Sequence, residues 1–318
     1  MIVWVLARPE DAGLDGLART PKEVTLVRGA SREELKDAPR PDAVLVCSLG
    51  RKMLEPVWPL VSGARWIHSR FAGIETLLFP ALVESPAVVT NGKGVFSDSL
   101  GEFAIAAMLH FAKDLARMRR SQAAKTWDPF DVLMLQGRTL GIMGYGDIGK
   151  ATASRARAFG MKVLGLRRRP EESKHDALVD EVLSFDQRGE LMARSDYVVV
   201  ATPLTPETRG IVGPAEIAAM KPGGVLVNLG RGPCVDEAAL VAALRDKKIR
   251  GAALDVFDTE PLPPGHPFWT LDNLLLSPHC ADHVDGWLDG AMDLFLDNLE
   301  RFRKGDPLLN VVDKNAGY

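Results

Sequence analysis

The chain has 318 residues, of which 46% are hydrophobic and 25% charged, and its formal net charge is -3 at pH 7. This composition is typical of a globular protein with one large or two medium domains, and it has no basic excess that would indicate a nucleic-acid partner. The three cysteines are too few and too widely spaced for a disulfide framework or a zinc knuckle: Cys47, Cys234 and Cys280.

The first part of the chain alternates short β-rich runs with polar or helical stretches. The opening run, residues 1–7, has no basic flank and is too short for a signal sequence or a membrane span, so it predicts a first strand and a cytoplasmic protein. The β-rich runs occupy residues 2–6, 24–27, 43–46, 66–68 and 87–90. Such alternation predicts a parallel sheet covered on both faces.

A longer helix is predicted next. Ser99 and Glu102 have capping-box spacing, and from Phe103 to Met118 the apolar residues recur at helical intervals. We expect one long helix here, and a crossover between domains.

Residues 139–149 end an apolar run with Gly144, Gly146 and Gly149 in the spacing Gly-x-Gly-x-x-Gly. The intervening residues are Tyr145, Asp147 and Ile148. A glycine triplet alone is also found in ordinary turns. Here a helical segment, 150–159, and a second strand, 162–166, follow as a βαβ unit requires. The motif therefore predicts a dinucleotide phosphate cradle at a helix amino end.

The second strand of this unit ends in Arg167, Arg168 and Arg169. An NAD-binding unit would place an acidic residue here to bind the ribose hydroxyl groups. Guanidinium groups can instead bind the ribose 2′-phosphate through paired, charge-assisted hydrogen bonds. The run therefore predicts NADP(H) in preference to NAD(H), and the alternative is a solvated basic turn.

Strand and helix patterns resume beyond this point. Apolar runs at residues 197–201, 225–229, 252–256 and 274–276, with a helix at 235–244, predict a second doubly wound sheet. The last periodic helix, 287–302, comes too late in the chain to belong to that sheet, which suggests that it returns to the first domain. The predicted domains are residues 1–96 with 284–318, and residues 97–283.

Three strand ends of the second domain carry reactive side chains, namely Arg231, then Asp255 and Glu260, then His279. Ligands of open α/β sheets bind at the carboxyl ends of the strands. A cation there can orient a substrate carboxylate and polarise a carbonyl, and an imidazolium can donate a proton as hydride arrives at carbon. A neighbouring carboxylate favours the charged imidazole. This set predicts hydride transfer to a 2-keto acid.

The order of motifs resembles the D-isomer-specific 2-hydroxyacid dehydrogenase family from about Gly94 to the end of the chain. The glycine fingerprint is followed by Pro-Leu-Thr-Pro-Glu-Thr at 203–208, Met-Lys-Pro-Gly-Gly at 220–224, Arg231, Asp-Val-Phe at 255–257, Glu-Pro-Leu at 260–262 and Ser-Pro-His at 277–279. The resemblance implies an α/β fold of two doubly wound parallel-sheet domains. One would be a flavodoxin-like substrate-binding domain, and the other an inserted Rossmann domain for the dinucleotide.

The resemblance also implies roles for individual residues. Arg231 would bind the substrate, and Glu260 would pair with His279 as the acid/base. Asp255 would hold the nicotinamide carboxamide. The cofactor would also contact the loop residues Thr202, Pro203, Thr208, Leu229 and Gly230. In the first domain the implied substrate contacts are Leu49, Gly50, Ala72 and Gly73.

The arginine run is similar to that of the NADPH-preferring glyoxylate and hydroxypyruvate reductases of the family, which implies reduction as the working direction. Family members pair through the segment that matches the helix from Ser99 and its basic end at 117–120, so a homodimer is expected, although the apolar residues of this helix could instead be internal.

Three alternatives remain open at the level of the sequence. The fold could serve a dinucleotide-sensing interaction protein, similar to the corepressors of this family, with little turnover. Formate-type oxidation is a further possibility, but the arginine run opposes it. His279, Cys280, Asp282 and His283 could suggest a metal cluster; Pro278 and the lack of distant ligands favour a loop that leads into a helix, so no metal is predicted.

Overall fold

The structure is a computed structural model that describes all 318 residues. The chain folds into two compact units. Unit 1 comprises Met1–Phe96 and Val284–Tyr318, and unit 2 comprises Ser97–His283. No helix combines the length and the apolar character that crossing a bilayer demands.

Unit 1 is built on a five-stranded parallel sheet. Its strands are β1 (Ile2–Leu6), β2 (Thr25–Gly29), β3 (Ala43–Val46), β4 (Trp66–Ser69) and β5 (Val88–Thr90). Their order is β2-β1-β3-β4-β5, the flavodoxin-like arrangement. The helices are α1 (Arg32–Leu35), α2 (Arg51–Val61), α3 (Pro80–Glu84) and, from the end of the chain, α10 (Trp287–Lys304).

The alternation of side chains along β1 shows how this sheet is covered on both faces. Trp4 and Leu6 point to one face, where they pack with residues of α2 such as Leu54. Val3 and Val5 point to the other face, where Phe295 of α10 is buried. The last helix of the chain therefore completes the core of unit 1.

Unit 2 has a seven-stranded parallel sheet. Its strands are β6 (Thr139–Met143), β7 (Lys162–Leu166), β8 (Glu181–Leu183), β9 (Tyr197–Val200), β10 (Val225–Asn228), β11 (Gly251–Leu254) and β12 (Leu274–Leu276). The order is β12-β11-β10-β9-β6-β7-β8, so the direction of winding reverses between β6 and β9. This is the Rossmann arrangement with one further strand, and its switch point is where dinucleotides bind.

The helices of unit 2 are α4 (Ser97–Ala112), α5 (Leu115–Ala123), α6 (Asp147–Ala158), α7 (Arg188–Arg194), α8 (Pro214–Ala219) and α9 (Glu237–Arg245). Gly101 of α4 lies against α6, because a Cβ at Gly101 would come within 3.0 Å of the carbonyl carbon of Ala151. The sequence patterns did not predict strand β8 or helix α7.

The prediction of one long helix through Met118 is wrong. Helix α4 ends at Ala112, and α5 begins after Asp114, which has a left-handed backbone with φ 48°. The Asp114 carboxylate accepts a hydrogen bond from the amide of Arg117, 3.2 Å away. Aspartate tolerates this conformation and caps helices well, so local capping overrides the apolar periodicity. Most apolar residues of α4 are buried inside unit 2.

Candidate active site

The turn after β6 brings the sheet and helix α6 into close contact. Gly144 has φ 91°, and a Cβ there would lie 2.8 Å from the carbonyl carbon of Ala201. A Cβ on Gly149 would lie 2.8 Å from the carbonyl oxygen of Gly144. Side chains at these two positions would collide with the backbone, so packing within the protein requires both glycines.

Gly146 is different, because no atom lies within 4 Å of the position that its Cβ would take. It is the N-cap of α6, and no side chain caps this end of the helix. Asp147 and Ile148 form the first turn. The amino end of α6 therefore presents backbone N–H groups beside open space, which fits a pyrophosphate. The ring of Tyr145 is buried against Gly165, and its backbone N–H donates to the carbonyl of Leu166 at 3.0 Å, so the ring and the N–H are both engaged within the protein.

The three arginines after β7 differ in their surroundings. Arg167 donates to Glu172 and to the hydroxyl of Ser173, and it is partly buried. Arg169 forms an ion pair of 2.8 Å with the same Glu172. Arg168 is exposed, and its charge helps to lower the pKa of Glu207, although the Thr205 hydrogen bond is the larger cause.

The loop after β9 closes the other side of the switch point. Thr202 is buried, and its hydroxyl oxygen has no hydrogen-bond partner in the protein. The hydroxyl of Thr208 donates to the carbonyl of Pro203, 2.6 Å away, and accepts from the amide of Thr205 at 2.8 Å. Thr208 thus shapes this loop, whereas the unpaired Thr202 oxygen suits a ligand that donates or accepts a hydrogen bond.

The end of β10 is anchored by Asn228. Its side-chain amide donates to the carbonyl of Arg231 at 3.0 Å, and its carbonyl accepts from the amide of Gly230 at 3.1 Å. The buried Leu229 precedes this turn. The loop is in contact with both neighbouring loops, because a Cβ on Gly230 would lie 2.6 Å from the Thr202 carbonyl oxygen and one on Gly232 would overlap Phe257. Arg231 is partly buried.

Asp255, at the end of β11, is buried in a network of hydrogen bonds. Its Oδ1 accepts from the Ser277 hydroxyl at 2.5 Å and from the amides of Cys280 and Ala281 at 3.0 and 3.1 Å. Burial raises its pKa, although these hydrogen bonds and His279 oppose the shift. All of these bonds end on one oxygen. Oδ2 is therefore suited to accept from an amide such as a nicotinamide carboxamide.

Glu260 and His279 form a hydrogen-bonded pair. Nδ1 of His279 lies 2.7 Å from Oε2 of Glu260, and the other oxygen of Glu260 accepts from the amide of Phe257 at 2.9 Å. Because a carboxylate accepts, the Nδ1–H of the ring is the donor in this bond, and the bond fixes the orientation of the ring. Nε2 makes no hydrogen bond within the protein. His279 also has a left-handed backbone, φ 52°, of the kind found at functional sites.

Exposure argues for a chemical rather than a stabilising role of this pair. The side chains of His279 and Glu260 are 44% and 35% exposed. Exposed ion pairs contribute only about 0–1 kcal/mol to stability.

The predicted substrate residues lie at the carboxyl edge of the unit 1 sheet. Leu49 and Gly50 follow β3 and have φ values of 56° and 48°, and Leu49 is 48% exposed. A left-handed backbone is unusual for leucine and holds its side chain outward here. Ala72 and Gly73 follow β4, and Ala72 is exposed.

The residues considered for a metal cluster do not form one. His283 pairs with Asp282 at 3.7 Å, whereas the amide of Cys280 is directed at Asp255. No group of three or more His, Cys, Asp or Glu side chains is arranged to hold a metal ion.

Sequence reasoning missed two polar residues near these strand ends. Asn228 supports the loop of Arg231, and its place at the end of an apolar strand was a usable signal. Asn91, directly after β5, is 5% exposed and donates to the carbonyl of Ala72 at 2.6 Å. Only the contact itself distinguishes it from an ordinary strand-end asparagine.

The Rossmann strand order, the open glycine turn and the hydrogen-bonded pair of His279 and Glu260 fit a dinucleotide-dependent oxidoreductase. Residues 105–281 match the family model described as D-isomer specific 2-hydroxyacid dehydrogenase, NAD binding domain. The chain belongs to the D-isomer specific 2-hydroxyacid dehydrogenase family.

Two relatives illustrate the extent of the similarity. The glyoxylate reductase of Thermofilum pendens is 33% identical over 294 residues, which cover 90% of this chain and 86% of the relative. The D-3-phosphoglycerate dehydrogenase of Methanocaldococcus jannaschii is 33% identical over 92% of this chain, but the match spans only 55% of that protein.

Solved structures of the family superpose over the whole chain. An enzyme from Xanthobacter autotrophicus, in complex with NADPH and MES, has a TM-score of 0.83 and 29% identity, and covers 100% of this chain and 99% of its own. An NADPH-dependent glyoxylate/hydroxypyruvate reductase from Sinorhizobium meliloti, in complex with NADP and sulfate, has a TM-score of 0.84 and 25% identity, with the same coverage.

Proposed function

We propose that this protein transfers hydride from NADPH to small 2-keto acids, with glyoxylate and hydroxypyruvate as the leading candidates, and forms D-2-hydroxy acids. The observation that carries the proposal is the 2.7 Å pair of His279 and Glu260 at the carboxyl edge of a dinucleotide-binding sheet. The named reductases among its relatives favour this function over a dinucleotide-sensing interaction protein.

The residues of the chain have distinct tasks in this reaction. NADPH, when bound, supplies the hydride. Arg231 orients the substrate carboxylate and polarises the carbonyl. His279 donates a proton from Nε2 to the carbonyl oxygen, and Glu260 stabilises the imidazolium before transfer and fixes its orientation. Asp255 and Thr202 hold the nicotinamide end through Oδ2 and the unpaired hydroxyl.

Unit 1 has the substrate-binding role in this proposal. The backbone N–H groups of Ala72 and Gly73 bind the substrate carboxylate. Leu49 and Gly50 form a wall of the pocket, and the outward leucine side chain supports this assignment. The size of the wall residue then limits the size of the keto acid.

NADPH preference is assigned to the arginines after β7. Arg168 and Arg169 are both exposed, so their guanidinium groups can reach a 2′-phosphate, and Arg169 also pairs with Glu172. Arg167 adds positive potential around that phosphate. Substituting Arg167 and Arg168 by Ala, followed by kinetics with both cofactors, tests this assignment. We expect the ratio of kcat/KM for NADPH to that for NADH to fall, and an unchanged ratio would reject the assignment.

The test of the acid–base role is His279→Ala. Turnover of glyoxylate should be lost while the Kd for NADPH stays nearly unchanged, because Nε2 is directed at the substrate rather than the cofactor. His175→Ala is a suitable control, since His175 is an exposed histidine of the same unit. Retained turnover in His279→Ala would refute the mechanism.

We also propose a cytoplasmic homodimer. All three cysteines are free, which suits a reducing compartment. The apolar surface that supports pairing lies on α5 and the segment after it, where Met118, Trp127 and Met134 are 42%, 97% and 61% exposed. The apolar face of α4, by contrast, is internal.

A further inference from the structure

The turn formed by Phe71, Ala72 and Gly73 is held from one side by the residues that follow β5. The side-chain amide of Asn91 donates to the Ala72 carbonyl at 2.6 Å, and the amide of Gly92 donates to the Phe71 carbonyl at 3.1 Å. Asn91 and Gly92 thus bind two successive carbonyl groups of the turn.

This arrangement determines where the adjacent N–H groups point. In a trans peptide the C=O and the following N–H point in opposite directions. Binding of the Phe71 carbonyl directs the N–H of Ala72 away from residues 91–92, and binding of the Ala72 carbonyl does the same for the N–H of Gly73. Neither N–H group donates a hydrogen bond within the protein. Two neighbouring N–H donors on one side of a turn can bind the oxygens of a carboxylate.

Asn91 is itself held firmly. Its side-chain oxygen accepts from the amide of Lys93 at 3.3 Å, which orients the donating amide toward Ala72. Asn310 reaches back from the end of the chain and donates to the carbonyls of Lys93 and Asn91 at 2.7 and 3.3 Å. The amide of Val312 donates to Val89 at 2.8 Å and fastens the same segment to β5.

Close packing leaves this support little freedom. A Cβ on Gly92 would come within 2.4 Å of the Arg70 carbonyl oxygen, so the two chain segments are in direct backbone contact. Asn91 is 5% exposed. Water therefore cannot readily replace its amide as the donor to Ala72.

We propose that Asn91 is the positioning residue for the carboxylate-binding turn: by holding the Ala72 carbonyl, it aims the Gly73 N–H at the carboxylate of the 2-keto acid, with Asn310 as its support. This inference rests on the proposed function, in which Ala72 and Gly73 bind that carboxylate. Asn91 would act on substrate affinity without touching the substrate or the cofactor.

The experiment compares Asn91→Ala and Asn91→Asp with wild type, using glyoxylate and NADPH. Both variants lose the donor to Ala72. We expect KM for glyoxylate to rise about ten- to hundredfold, the range for a hydrogen bond to a charged group. We expect kcat to change less than about threefold and the Kd for NADPH to stay constant.

Asn298→Ala is the matched control. Asn298 is also a fully buried asparagine of unit 1. Its side-chain amide donates to the carbonyl of Leu309 and its side-chain oxygen accepts from the amide of the same residue, but it makes no hydrogen bond to the turn. It should lower stability without raising KM. If Asn91→Ala folds poorly, Asn310→Gly retains the left-handed backbone at φ 55° and removes only the supporting amide. This variant should raise KM less than Asn91→Ala does.

The outcomes separate this inference from the proposed function. Wild-type protein that reduces no 2-keto acid would reject the proposed function itself. An active wild type whose KM is unaffected by Asn91→Asp, or affected no more than by Asn298→Ala, would overturn the role of Asn91 alone. A fall in kcat at constant KM would also overturn it.

Discussion

Gly146 provides a sharp test of the phosphate cradle, because its replacement should separate ligand binding from stability. The change is Gly146→Ala, and Gly149→Ala is the matched control. A methyl group at 146 enters open space, whereas one at 149 lies 2.8 Å from the Gly144 oxygen and 3.0 Å from a methyl carbon of Ile142.

The magnitudes follow from these distances. At 146 the backbone has φ -102°, which alanine adopts readily, so the free energy of unfolding should change by less than about 1 kcal/mol. The new methyl group would displace the pyrophosphate from the helix amino end. Loss of one charge-assisted hydrogen bond costs about 1.5–3 kcal/mol, equivalent to a Kd for NADPH that is about ten- to hundredfold higher. Gly149→Ala should instead destabilise the protein by about 1–3 kcal/mol through overpacking.

Calorimetric titration with NADPH and urea unfolding measure the two quantities independently. Wild-type affinity in Gly146→Ala would refute the placement of the pyrophosphate at α6. Equal destabilisation by both substitutions would refute the distinction between an open and a packed glycine.

Glu260→Gln should lower kcat at least about tenfold at pH 7 because the imidazolium loses its charged partner, with little change in the Kd for NADPH; an unchanged kcat in steady-state assays would contradict this. Burial lowers the pKa of His68 to about 3, so between pH 6.5 and 3 only the unfolded chain binds its proton. Stability should therefore fall as the pH is lowered, by about 2 kcal/mol from pH 7 to pH 5, and His68→Gln should flatten this slope in urea unfolding; an unchanged slope in this variant would contradict the assignment. Trp127→Glu should shift the protein from dimer to monomer in sedimentation, because a charge on this exposed apolar surface must be desolvated on pairing; a wild-type monomer would refute the dimer.

Much of the architecture could be predicted from short-range patterns. The strand of residues 2–6 and the start of the last helix at Trp287 were predicted at their observed positions, because buried parallel strands are nearly continuous apolar runs and amphipathic helices have a strong period. Strand β8 was missed because Glu181, Val182 and Leu183 form too short a run at the edge of a sheet. The break at Asp114 was missed because apolar spacing continues across it.

The location of the candidate-site residues could be predicted from the sequence because each stands where a strand ends. The hydrogen bonds and ion pairs between these residues, by contrast, could not be predicted from the sequence. The pairing of Arg167 and Arg169 with one carboxylate, Glu172, depends on how the chain turns after β7. The contact of Asn91 with Ala72 joins residues 19 positions apart on two strand ends, and no periodicity in the sequence indicates it.

The return of α10 to the first sheet affects how this protein can be made. During synthesis, residues 1–96 emerge from the ribosome long before residues 284–318. One face of the first sheet therefore stays exposed to solvent until the whole inserted domain has been made. Phe295 and Leu299 are the side chains that finally cover it. We therefore expect truncations that remove the last helix to aggregate through the exposed face of β1, β3 and β4, and the isolated fragment 97–283 to be the easier piece to express.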